Sequence, residues 1–202
     1  MSATVERDGK GGHDAGDALE RLRTLLRQDG GLMATLVEPD AGCSPAAREP
    51  AALADSKQVE GPARIAASGP RAAGRRGQYA LLVEAIYEGY LLHYGVPRVV
   101  RVPEADLKLL AGDRLYAIGL ALLVALGDTA AVAELADTIT LSALAQGAGA
   151  SELAEAVWYA GARAVGWGCS EAHARAKKLV LAGAPEAIEA MRTSMNGLIA
   201  PP

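Results

Sequence analysis

Cys169 and His173 are the two residues whose types and spacing could form a nucleophile and a base. They lie four residues apart, and Ser170 between them favours the start of a helix. A helix N-terminus can lower the pKa of a thiol, and an imidazole can accept the thiol proton. The sequence shows neither a residue to orient the imidazole nor an oxyanion site beside the pair. We therefore rank catalysis by this pair behind a non-catalytic role.

Two aspartates, Asp106 and Asp113, lie seven residues apart in a largely apolar stretch. In a helix this spacing places both side chains on one face, roughly 10 Å apart, where they could face one cavity. Asp113 interrupts the apolar sequence, and a buried carboxylate requires hydrogen-bond partners. We predict that Asp113 is buried and has a structural hydrogen-bonding role rather than a catalytic one.

Glu84 and Glu88 are spaced four residues apart, close enough in a helix to share a metal ion or a proton. A di-iron helical bundle requires a histidine three residues after such a glutamate, and Leu91 stands there instead. We predict that both glutamates are solvated. Tyr87 and Tyr94, on the same predicted helix, are candidates to line a pocket.

The composition favours helices and argues against several classes of site. Half of the 202 residues are apolar, yet there is no Phe and the aromatic fraction is 4%, so small aliphatic side chains must build the core. A net charge of −4 gives no indication of a nucleic-acid surface. The two cysteines, Cys43 and Cys169, form neither a disulfide framework nor a zinc-ligand cluster. The sequence therefore predicts no metal site and no cofactor.

Proline and glycine divide the chain into three parts. We expect residues 1–38 to be a flexible segment with a short amphipathic helix over 17–37, stopped first at the Gly30–Gly31 pair. Residues 39–77 contain five prolines and five glycines, which predicts a disordered linker. The linker ends in a basic cluster, Arg71, Arg75 and Arg76, which we interpret as solvated rather than as a phosphate or partner contact.

Residues 78–200 have the pattern of an all-helical domain. Glycine, proline and capping residues predict helices over 79–94, 103–126, 129–146, 151–165, 170–181 and 185–198. The second is apolar nearly all round after Arg114, so we expect it to be the buried central helix. Short connections predict an antiparallel array or bundle of about six helices, with Trp158 in its core.

Neither a secretory signal nor a membrane span is expected. The first residues lack the apolar core of a signal peptide. The longest apolar run, Leu115 to Leu126, covers about twelve residues, whereas a span requires roughly 20. The sequence therefore predicts a cytoplasmic protein.

Two stretches carry a resemblance to a known family. The sequence from Leu109 to Asp128, which begins Leu-Leu-Ala-Gly-Asp-Arg and continues as an apolar helix, resembles the central helix of trans-isoprenyl diphosphate synthases. The sequence from Leu82 to Gly95 resembles the family's helix that leads into its first aspartate-rich motif. The resemblance covers about residues 79–147 and implies a helical fold related to isoprenoid biosynthesis.

The chain departs from this family at the metal-binding motifs. Tyr94-Gly-Val-Pro-Arg98 stands where the family has its first aspartate-rich motif, and residues 147–202 contain no Asp. The family holds Mg²⁺, and through it the substrate diphosphate, with those carboxylates. Only Asp113 matches a motif position. The chain is most similar in character to the non-catalytic small subunit of two-component heptaprenyl diphosphate synthases.

The resemblance implies a catalytically silent protein without a cofactor. Its expected partner is a catalytic prenyl synthase subunit, a second copy of the chain, or an apolar isoprenoid chain. The alternative interpretation is a helical protein-interaction module of unrelated ancestry.

Overall fold

The computed structural model describes residues 14–37 and 61–195. Within these residues the helices are α1 (Asp14–Asp29), α2 (Gly31–Leu36), α3 (Pro62–Ser68), α4 (Arg76–Tyr94), α5 (Ala105–Leu126), α6 (Thr129–Gly147), α7 (Ser151–Trp167), α8 (Glu171–Leu181) and α9 (Ala187–Ser194), with a 3-10 turn at Pro70–Ala72. In the described residues extended backbone pairs only at the single bridge between Val37 and Val100. The prediction of an all-α fold is confirmed.

The central helix is α4, not the α5 helix that the sequence suggested. It packs against α1, α3 and α5, and most of its side chains are buried on every side. By contrast, α5 packs along α4 and makes few contacts with α6. Uniform hydrophobicity therefore identified the wrong helix, because the apolar outer side of α5 has no partner within the described residues.

Glycines allow α4 and α5 to cross at short range. A Cβ on Gly89 would lie 2.9 Å from the Gly112 carbonyl oxygen, and a Cβ on Gly112 would lie 2.6 Å from His93 Nε2. A Cβ on Gly119 would overlap Ile86. Since any side chain at these positions would separate the helices, the glycines fix where α5 lies on α4.

Residues 61–77 differ from the predicted linker because they are part of the packed fold. Pro62 starts α3, and Ala63 and Ala66 are almost fully buried. This helix lies against α4 and α7, where Gly69 and Gly166 allow close backbone contact. The remainder of the predicted linker, residues 39–60, lies outside the described residues. Alanine-rich sequence between prolines was interpreted as unable to form a core, but small side chains are what this close packing requires.

The predicted amphipathic helix forms as α1 and α2 and is packed rather than flexible. Leu22 and Leu26 have no exposed surface and join a second core cluster with residues of α4 and α5. The end of α2 contacts the segment after α4, where Arg101 N–H donates to the Leu36 carbonyl oxygen at 2.8 Å. The N-terminal helices therefore form one wall beside α5.

Helices α6 to α9 complete the fold around a third core cluster of Leu141, Val157, Val180 and Met191. The predicted boundary between the helices over 103–126 and 129–146 is present: Gly127 has a left-handed φ of 71°, and the Asp128 side chain accepts from Ala131 N–H at 3.0 Å. Ser170 likewise caps α8, and this places Cys169 immediately before that helix.

Candidate functional site

An open apolar groove runs along one side of α5, between that helix and α1, α2 and the start of α4. It consists of three successive hollows of about 360, 470 and 270 Å³ that share lining residues. Two glutamines, Gln28 and Gln78, line it together with the charged residues described below. Its apolar lining residues, from one end to the other, are Leu32, Met33, Leu107, Leu110, Ala111, Leu25, Ala117, Ile118, Ala121, Leu122, Leu81, Ala125 and Leu126. We call this surface the α5 groove.

The groove follows from the spacing of small and large side chains on α5. Ala117, Ala121 and Ala125 recur every four residues and are exposed, so one stripe of the helix stays shallow. Leu110, seven residues before Ala117, lies on the same stripe with 64% of its surface exposed. An apolar helix in a globular protein normally buries such a stripe, so the α5 groove is a surface suited to an apolar partner.

Charged side chains lie at defined points of the α5 groove. Arg114 pairs with Asp29 at 2.6 Å, and both residues line the first and second hollows. At the other end Arg75 donates to the Leu126 carbonyl oxygen at 3.2 Å. An occupant would therefore meet an apolar floor with one ion pair across it and a cation at its end.

By length and composition α5 also qualifies as a membrane-spanning helix, the one such helix among residues 14–37 and 61–195. One third of its most apolar window is buried. Leu109 and Val124, with exposed fractions of 47% and 72%, add further apolar surface to this helix.

The two aspartate candidates lie on the surface of α5. The prediction that Asp113 is buried is wrong: its side chain is 68% exposed, and its Oδ1 lies 3.2 Å from His93 Nε2 without the alignment of a hydrogen bond. Asp106 is also exposed. The apolar sequence around Asp113 suggested burial because the exposed groove beside it could not be foreseen.

The two tyrosine candidates belong to an aromatic cluster around Trp158, which is buried as predicted. Tyr87 lies edge-on to Trp158 with ring centroids 5.0 Å apart, and burial raises the pKa of Tyr87 to about 12. Tyr94 contacts Tyr90 and remains 46% exposed. Tyr87 is therefore a packing residue, and Tyr94 forms the exposed edge of the cluster.

Glu84 and Glu88 are buried, so the prediction that they are solvated is wrong. Arg98 binds both carboxylates through its guanidinium group. Glu88 also accepts the backbone N–H of Arg98 and, at 2.7 Å, that of Val99. Burial raises the pKa of Glu84, and Arg98 offsets part of that effect. Together these contacts fold the segment after Tyr94 back onto α4.

Two residues of the basic cluster predicted at the end of the linker, Arg71 and Arg75, make contacts within the chain. Arg71 donates to both oxygens of Asp128, at 2.7 and 2.9 Å. The Tyr79 hydroxyl donates to the same carboxylate. Arg71 and Arg75 are therefore not free to bind phosphate as a pair, since Arg75 is held at Leu126.

The predicted reactive pair lies in a second polar site, between α6 and α8. His173 is 3% exposed, and its Nε2 lies 2.6 Å from Glu134 Oε1. Lys177 donates to Glu134 Oε2 at 2.9 Å and to Asp137 at 2.7 Å. Partial burial and the adjacent Glu134 carboxylate raise the pKa of the Cys169 thiol. Glu134 thus orients the His173 ring, as a catalytic pair would require. The same Glu134 carboxylate, however, disfavours the Cys169 thiolate that a nucleophile requires.

Sequence reasoning missed Glu134 and the α5 groove. Glu134 precedes Cys169 by 35 residues, and an antiparallel array pairs α6 with its neighbour α7 rather than with α8. The signal for the groove was present as apolar residues all round α5, but the same signal also describes a buried helix.

Comparisons with protein families, with curated proteins and with solved structures found no match to this chain.

Proposed function

We propose that this chain is a non-catalytic helical protein that docks an apolar helix of a partner protein in the α5 groove. The resemblance to prenyl synthases makes a catalytic prenyl synthase subunit the expected partner. The observation that carries the proposal is the groove itself, which exposes an apolar stripe on a helix whose opposite side packs on α4.

The shape of the groove favours a helix over an isoprenoid chain. Its α5 side runs from Leu107 to Leu126, roughly 29 Å by helix geometry, and all three hollows are open to solvent. Sites for small apolar ligands are concave and enclose most of the ligand surface. Helix-in-groove recognition instead uses a long open apolar surface, onto which the incoming helix lays its apolar face, and the α5 groove offers such a surface.

The contacts after α4 support the absence of prenyl-transfer activity. A cation, Arg98, lies against Glu84 and Glu88 in the region that the resemblance aligns with the family's first metal-binding motif. Carboxylates paired with a guanidinium group are poor ligands for Mg²⁺, which requires free hard oxygen atoms. Asp106 and Asp113 stand on the surface of a different helix and add no carboxylate to this pair.

Photo-crosslinking in the producing cell tests the proposal directly. A photoreactive residue at Leu110 lies in the groove, and one at Leu181, 62% exposed on α8, is the matched control because Leu110 is 64% exposed. We expect a discrete protein adduct from position 110 and none from position 181. A prenyl synthase in the adduct supports the family relationship, whereas an unrelated protein supports the alternative interaction module. Lipid adducts alone, or equal adducts at both positions, contradict helix docking.

A further inference from the structure

Glu134, Cys169 and His173 bring three different metal-ligand types together between α6 and α8. Their ligand atoms lie within 4.8 Å of one another. Glu134 and His173 are buried, and Cys169 is exposed. None of the three lines the α5 groove, so this cluster is independent of the proposed function.

Ser194 fixes the orientation of the His173 ring. Its hydroxyl donates to the Met191 carbonyl oxygen at 2.7 Å, so its oxygen is left to accept from His173 Nδ1, 3.4 Å away. A proton on Nδ1 leaves the Nε2 lone pair facing Glu134 Oε1 at 2.6 Å. At this distance a hydrogen bond joins the two atoms, and a metal ion that replaced its proton would have both atoms as ligands.

Lys177 leaves one oxygen of Glu134 available. Its ammonium group binds Glu134 Oε2 and Asp137, which orients the carboxylate as outer partners orient metal ligands. The charges also balance: a thiolate and the Glu134 carboxylate would neutralise a divalent ion, while Lys177 neutralises Asp137.

We propose that Glu134, Cys169 and His173 bind Zn²⁺, with a water molecule as the fourth ligand. A thiolate, an imidazole and a carboxylate are a ligand set suited to zinc rather than to magnesium or calcium. The exposed thiol of Cys169 provides the entry path. On binding, the Cys169 thiol proton and the proton between His173 and Glu134 leave to solvent, and bonds form from zinc to Sγ, Nε2 and Oε1.

The bound ion would tie the start of α8 to α6. Zn–N and Zn–O bonds of about 2.0–2.2 Å require Nε2 and Oε1 to move apart from hydrogen-bond distance. Because the ion binds the folded chain, zinc is expected to raise the melting temperature.

Cobalt titration of the metal-free full-length chain tests the site, since tetrahedral Co²⁺ bound to a thiolate has a charge-transfer absorption. Cys43 is the only other cysteine, so Cys43→Ser is the matched control for Cys169→Ser. We expect the band in the wild type and in Cys43→Ser, its loss in Cys169→Ser, and its displacement by Zn²⁺. Ser194→Ala should weaken Co²⁺ binding about 10-fold or more through loss of the ring partner.

Two results would overturn the zinc site. One is a wild-type chain without the charge-transfer band, and the other is a band of unchanged strength in Cys169→Ser. The exposure of Cys169 means that its serine variant should fold, and circular dichroism verifies this. The Zn²⁺-induced rise in melting temperature must also disappear in Cys169→Ser and persist in Cys43→Ser.

Discussion

At the scale of single residues, the carboxylates divide into buried anchors and surface charges, and sequence alone assigned them the wrong way round. Glu88 has no exposed surface and accepts two backbone N–H groups and the Arg98 side chain. Asp113, by contrast, is largely solvated. The identity of each residue was visible in the sequence, but its surroundings depended on Arg98 and on the position of α5.

Replacing Glu88 should therefore lower the free energy of unfolding strongly, whereas replacing Asp113 should leave it almost unchanged. Glu88→Ala leaves two backbone donors unpaired and a guanidinium group without one of its partners, so we expect a loss of about 3 kcal/mol or more in the free energy of unfolding. Asp113→Ala should change it by less than about 0.5 kcal/mol. Denaturant melts with equal slopes measure both, and a larger loss in Asp113→Ala would contradict the assignment.

Asp128 is a second anchor, because it caps α6 and accepts from Arg71 and Tyr79. Asp128→Ala removes the cap and leaves these donors unpaired, so we expect a loss of about 2–4 kcal/mol. Ser170→Ala, which removes a cap alone, should lose about 1 kcal/mol. Equal losses in the two variants would show that the Arg71 and Tyr79 contacts contribute nothing.

The contribution of Asp128 should also depend on pH. Partial burial acts to raise its pKa, but hydrogen bonds from Tyr79, Ala131 N–H and Arg71 outweigh burial and lower the pKa below its ordinary value. A carboxyl group whose pKa is lower in the folded state stabilises that state at pH values above its unfolded pKa of about 3.9. This stabilisation is lost as the pH falls through the folded-state pKa. The free energy of unfolding of the wild type should exceed that of Asp128→Ala by a constant amount from neutral pH to about pH 5. This difference should shrink below about pH 4. A margin that grows on acidification contradicts the contacts.

At the scale of elements, the boundaries of the C-terminal helices could be predicted because they depend on local residues. Gly127, Asp128 and Ser170 act on their own turns, and the helices begin and end beside them. Which helix is central could not be predicted, since α4 and α5 are both apolar and only their contacts distinguish them. The packing of α3 was also missed, because it depends on Gly166, which is remote in sequence.

The contact of α3 with α7 has a direct test in Gly166→Ala. The added Cβ would lie 2.5 Å from the Ala66 carbonyl oxygen, a backbone atom that cannot move alone, so we expect a loss of about 1–3 kcal/mol. Gly147→Ala is the matched control, because a Cβ there meets no atom within 4 Å and alanine favours the helix. Thermal melts measure the melting temperatures of both variants. A melting temperature of Gly166→Ala equal to or higher than that of Gly147→Ala would mean that α3 does not pack on α7.

At the scale of the whole molecule, we propose binding in the α5 groove and no chemistry on helix α4. The purified chain with Mg²⁺, isopentenyl diphosphate and farnesyl diphosphate should therefore form no elongated product, because Arg98 already pairs with Glu84 and Glu88. Product analysis with radiolabelled isopentenyl diphosphate measures this. Turnover by the chain alone would contradict the proposed function.

The groove was the part of the site least accessible to sequence reasoning. Apolar residues at intervals of three and four on α5 predict a helix with a buried face, and they do not state whether the covering surface belongs to the same chain. Within the described residues, Leu110 and Ala121 remain exposed beside α1 and α2. The distinction lies in tertiary contacts, which composition does not determine.

Docking in the α5 groove has its sharpest test in light scattering during size-exclusion chromatography of the chain mixed with the catalytic prenyl synthase of the same genome. We expect a complex with the wild type and with Leu181→Glu. Leu110→Glu and Ala121→Glu should weaken it at least about 100-fold, since each places a charge in an apolar interface. The mass of each protein measured alone shows whether it forms a homodimer by itself. Absence of a wild-type complex, or a complex that both groove variants retain, would contradict the account.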